Sequence, residues 1–77
     1  TETTEAGVIS MNTLRNGSRG TQVKVLQYLL DEAGYDPGKA DGIFGQKTLA
    51  ALKAYQKDKG LTADGICGKN TWKKILA

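Results

Sequence analysis

The chain has no histidine, and cysteine occurs only once, at Cys67. Without an imidazole there is no Ser-His-Asp triad, no Cys-His pair, and no imidazole metal ligand or general base. One Cys cannot close an internal disulfide, and it cannot build a zinc site without partners. No apolar run approaches the roughly 18–20 residues of a membrane-spanning helix. No basic segment followed by an apolar one opens the chain, so no signal-peptide pattern is read there. The chain begins Thr1-Glu2-Thr3-Thr4 without an initiator Met, which suggests a fragment of a longer protein or a processed product. The enzyme chemistries that survive need paired carboxylates, a lone Lys or a carboxylate metal site.

What is present is 77 residues, enough for one small domain. A core of that size rarely supplies more than about 3–5 kcal/mol, so the fold has to be economical. The net charge is +3. Residues 1–13 are rich in Thr, Glu, Ser and Asn, and the apolar pair Val8-Ile9 is too short to bury alone. They are expected to form a flexible arm or linker. Residues 14–77 form the expected domain and carry 11 basic against 6 acidic groups, a net of +5.

From Leu14 onward a helical period sets in. Val23, Leu26, Leu30 and Ala33 recur at steps of three and four, one face of a first helix that Ser18 or a neighbour opens and Gly34 ends. A second helix is predicted over 45–59, with Thr48, Leu52 and Tyr55 along its stripe, Leu49 and Ala51 beside it, and Gly60 after it. A third, short helix over 69–76 carries Trp72, Ile75 and Leu76. No strict period of two lasts a full strand. The expected fold class is all-α, a small three-helix bundle.

A repeat is the most informative feature. Asp41-Gly42-Ile43-Phe44-Gly45-Gln46-Lys47-Thr48 is echoed by Asp64-Gly65-Ile66-Cys67-Gly68-Lys69-Asn70-Thr71, with five of eight positions identical. Each copy leads into a helix. The Asp can bond its own backbone two residues on, and the first Gly supplies positive φ at no steric cost. Ile and the apolar residue after it are expected to turn inward. Two copies are too few for an open solenoid, so two loop-helix corners in one bundle are expected.

The residues in order are Gly17-x-x-Gly20-x-x-Val23-x-x-Leu26-Gln27-x-x-Leu30, Gly34-Tyr35, Asp41-Gly42-Ile43-Phe44-Gly45-x-x-Thr48, Tyr55-Gln56-x-x-x-Gly60-Leu61 and Asp64-Gly65-x-x-Gly68-x-x-Thr71-Trp72. This series resembles the peptidoglycan-binding domain of bacterial cell-wall hydrolases, over residues 14–77. The resemblance implies a three-helix bundle without catalysis or cofactor, working beside an attached catalytic domain. It implies an extracellular, cell-wall-associated place. Cys67 stands where the first copy has Phe44, and Tyr55 where the family often has Phe.

Each notable group also has a plainer reading. Asp41 and Asp64 could be a pair of catalytic acids, but their equivalent places in a repeated turn favour a turn-forming role. A calcium loop fails on spacing: counted from Asp36, the third, fifth and twelfth positions are Gly38, Ala40 and Lys47. Cys67 reads as a small hydrophobe in the core. Trp72 reads as a packing residue, with an open sugar-facing ring as the alternative. Tyr28 lies opposite the first stripe and is expected to be exposed; Tyr35 is expected to pin its loop, and Tyr55 to be core.

The basic residues spread over all three helices, and most are ordinary solvated side chains. Their sum still favours a polyanionic partner. Cell wall fits that charge; nucleic acid fits less well, because no helix gathers base-reading residues on one face. The expected ligand is peptidoglycan, glycan strand or stem peptide, bound by a monomer in a shallow groove between helices and the Asp-Gly loops. The candidate contacts are Arg19, Tyr35, Lys39, Gln46, Lys47 and Asn70, each of which could equally be plain solvated surface. The competing reading is a protein-interaction or pro-domain-like module on the same bundle. No catalytic, metal or cofactor-binding residue is expected.

Overall fold

The computed structural model describes residues 11–76. The expected arm over 1–13, including Val8-Ile9, falls largely outside them. Three helices follow in order: α1 Thr21–Glu32, α2 Gln46–Asp58 and α3 Lys69–Leu76. No strand is found among the described residues, and α1 packs against both other helices.

The periodic stripes are the core. Val23, Leu26, Leu30 and Leu52 are fully buried, with Phe44, Tyr55, Cys67 and Trp72 beside them. Ala33 does not belong to this set. It is the exposed C-cap of α1, where the chain already leaves the helix. Neither α1 nor α2 starts with a side-chain cap: Gly20 and Gly45 hold the N-cap positions. Ser18 instead accepts a hydrogen bond from Arg15 N–H at 3.0 Å, closing the turn that precedes α1.

Trp72 settles on the plain reading. It is 1 % exposed, and its Nε1–H donates to the Asn12 carbonyl at 2.9 Å. No ring face is left for a sugar. Met11 is half-buried against the core, and Asn12 N–H donates to Gln22 Oε1, so contacts with the bundle reach back to Met11.

Two isolated bridges knit the loops together. Leu14 pairs with Cys67, and Arg19 pairs with Ile43. Through them the segment before α1 is fastened to both copies of the repeat. Phe44 and Cys67, which occupy equivalent places in those copies, both point into the core. Ile43 does not: it is 47 % exposed. Its N–H is bonded to Asp41 and its carbonyl to Gln27, and the next residue, Phe44, takes the inward place.

Candidate functional site

The two repeated loops are built around buried glutamines. Gln27, on α1, accepts from Gly42 N–H at 3.0 Å through Oε1. Its Nε2 donates to the Ile43 carbonyl and Thr48 Oγ1, each at 3.0 Å, and more distantly to Asp41 Oδ1 at 3.4 Å. Gln56, on α2, repeats the pattern. Its Oε1 accepts from Gly65 N–H, and its Nε2 donates to the Ile66 carbonyl, Thr71 Oγ1 and Asp64 Oδ1. Each amide therefore fastens a loop to the helix before it and to the first turn of the helix after it. In the sequence both stand in the series that carries the resemblance, but no role was read for them. Their signal was a Gln directly after an apolar stripe residue in both halves, Leu26-Gln27 and Tyr55-Gln56.

The aspartates form turns, as their repeated position predicts. Asp41 Oδ1 accepts from Ile43 N–H, and Asp64 Oδ1 from Ile66 N–H, each at 2.9 Å. The bond from Ile43, aided by Gln27, holds the Asp41 carboxyl below its ordinary pKa. Among the described residues no group of three or more His, Cys, Asp or Glu is arranged to hold a metal ion. Burial pushes the Cys67 thiol up to about 12.

A depression of ≈ 350 Å³ opens beside the first loop, bordered by Lys39, Asp41, Gln46 and Lys47. A second, of ≈ 260 Å³, lies at the equivalent place beside the second loop, bordered by Leu61, Thr62, Asp64, Lys69 and Asn70. Each contains the first turn of the following helix. Helical geometry leaves the first N–H groups of such a turn without intrahelical partners. Neither α2 nor α3 carries an acidic residue in its first turn to neutralise them.

The six candidate residues thus divide. Lys39, Gln46 and Lys47 come together in the first depression, and Asn70 stands in the second. The stem of Lys47 lies against Gly38: a Cβ added at Gly38 would stand 3.1 Å from Lys47 Cδ. Arg19 is exposed beyond the first depression, its backbone bridged to Ile43. Tyr35 is outside both. Its hydroxyl donates to Asp58 Oδ2 at 2.6 Å, and its ring meets Tyr55 edge-on with centroids 5.6 Å apart. That bond to Asp58 is the main cause of its raised pKa. It pins the loop after α1 to the end of α2. Tyr28 is exposed, as its place opposite the stripe predicts.

Known proteins share this fold. Residues 19–75 match the family described as "Putative peptidoglycan binding domain". The N-acetylmuramoyl-L-alanine amidase CwlM of Mycobacterium tuberculosis is 45% identical over 56 residues, covering 73% of this chain and 14% of the amidase. The N-acetylmuramoyl-L-alanine amidase CwlL of Bacillus licheniformis is 44% identical over 66 residues, covering 83% of this chain and 18% of the enzyme. The chain therefore spans less than a fifth of these curated relatives. The crystal structure of the SleB N-terminal domain superposes with a TM-score of 0.83 at 36% identity, covering 87% of this chain and 92% of that one. The chain belongs to the peptidoglycan-binding domain family.

Proposed function

We propose that this member of the family is a non-catalytic module that binds peptidoglycan and holds an attached cell-wall hydrolase against its substrate. Tethering of this kind raises the effective concentration of the hydrolase at the wall without any new chemistry. Its place would be extracellular, at the cell wall. One observation supports the contact surface most directly: Lys39, Lys47 and Gln46 border one depression at the start of a helix without a side-chain cap. Two cations stand there against one carboxylate, Asp41, whose Oδ1 is already bonded within the loop. Helix N-termini favour anions, and stem peptides carry carboxylates. A carboxylate of the stem peptide is the group this depression would take. Arg19 adds positive charge nearby; Tyr35, bonded to Asp58, is the weakest of the six candidates.

The test is sedimentation with purified cell walls, followed by NMR shift mapping with soluble muropeptides. The domain should co-sediment, and shifts should gather at residues 38–47. A domain that stays in the supernatant while binding its own attached enzyme would transfer the function to protein interaction.

A further inference from the structure

The two copies of the repeat differ in one hydrogen bond. In the first, Thr48 Oγ1 accepts from Gln27 and passes its own hydrogen to the Pro37 carbonyl at 3.1 Å. In the second, Thr71 Oγ1 accepts from Gln56 at 3.1 Å, and no onward acceptor for its hydrogen is found among the described residues. Thr71 is 4 % exposed and lies on the wall of the second depression. A hydroxyl carries one donor besides its acceptor lone pairs, so Thr71 Oγ1, already paired with Gln56, keeps a hydrogen to give. Here it stands at the edge of an open depression whose rim also offers the Asn70 amide.

Charge separates the two depressions as well. The first has two lysines against Asp41, whereas the second has Lys69 against Asp64, a balance of zero. Leu61 stands in the second where Gly38 stands in the first, so an apolar side chain lines it at that place. A neutral site with one buried donor, a side-chain amide and an apolar wall suits a neutral polar group with a small apolar end.

We propose that the second depression is a separate subsite for a secondary amide, with Thr71 Oγ–H donating to the amide carbonyl and Asn70 bonding its rim. This rests on the wall-binding reading and divides the ligand between the two copies: the first takes a carboxylate, the second an amide. The amide could belong to an N-acetylated sugar or to a peptide bond.

The experiment is NMR titration of the 77-residue chain with three probes. Methyl N-acetylglucosaminide and N-acetylalanine methylamide both carry a secondary amide, and methyl glucoside carries none. Shifts at 61–62 and 69–71 with either amide, and none with the glucoside, support the subsite, and the amide that binds names the source. Thr71→Val should weaken that binding about three- to tenfold, the factor carried by one neutral hydrogen bond. Thr71→Ser should restore it. Thr48→Val removes the matching bond to Gln27 and controls for the cost to the fold; it should leave shifts at the second depression intact. Asn70→Ala tests the rim at an exposed position and should also weaken binding. Equal loss in Thr48→Val and Thr71→Val, or equal binding of the glucoside, overturns the subsite. So does a wild-type chain that sediments with walls yet shows no amide shifts, an outcome that leaves wall binding standing. A wild-type chain that fails to sediment removes both proposals.

Discussion

Gln27 and Gln56 make the same four contacts in the two halves of the domain: a glycine N–H, an isoleucine carbonyl, a threonine hydroxyl and an aspartate oxygen. Both side chains are 1 % exposed. The repeat is therefore a hydrogen-bonded unit, with each buried amide at the centre of its own corner.

Removing one of these amides should be expensive. Gln56→Met fills similar space but leaves the Gly65 N–H buried without a partner, at about 1–3 kcal/mol for each group so orphaned. In a domain this small that lowers Tm by more than about 4 °C. Thermal unfolding followed by circular dichroism measures it, and Gln27→Met should behave alike.

Gly65→Ala should be destabilising for two separate reasons. Its φ is +74°, where an L side chain is strained, and the added Cβ would run into Leu49 Cδ1. The strain alone is worth about 1–3 kcal/mol. Chemical denaturation should show a lower midpoint with an unchanged slope.

The double substitution Lys39→Gln, Lys47→Gln should separate binding from folding. Both side chains are exposed, so Tm should hold within the small range usual for surface changes. Wall affinity at low salt should fall about threefold or more, the sum of two weak ion pairs. The wild type should approach the variant as salt rises, because exposed pairs are screened.

Cys67 should be inert in the folded protein. Its thiol is fully buried and its pKa is pushed up to about 12, so almost no thiolate exists at pH 8. Iodoacetamide should label it slowly in buffer and rapidly in denaturant. Rapid labelling of the native chain would contradict the packing described for α3 and its loop.

Asp41 supplies a pH dependence with a definite sign. Its folded pKa lies below 3.8, so the unfolded chain binds the proton more readily. Its contribution is present above that pH and is lost as pH falls through the folded value. Wild-type melts should therefore weaken on acidification below 3.8, and Asp41→Asn should lose less over the same range.

How much of this was legible beforehand depended on distance along the chain. The stripe of Val23, Leu26 and Leu30 was plain, because helical spacing is a local signal. So were the Asp41 and Asp64 turns, which close over two residues. Gln27 and Gln56 stood in the matching series without a role, because a glutamine beside a stripe is usually solvated and their partners lie 8 to 21 positions away. Tyr35 was expected to pin its loop, but its partner was hidden for the same reason: its bond to Asp58 spans 23 positions. Ile43 failed in the opposite sense. Its apolar side chain suggested burial, but both its backbone groups were already committed and Phe44 took the inward place.

The bond from Trp72 to the Asn12 carbonyl joins residues 60 positions apart. It brings the path into the domain and the path out of it to a single corner. The segment ahead of α1 and the last helix are thus closed on one another.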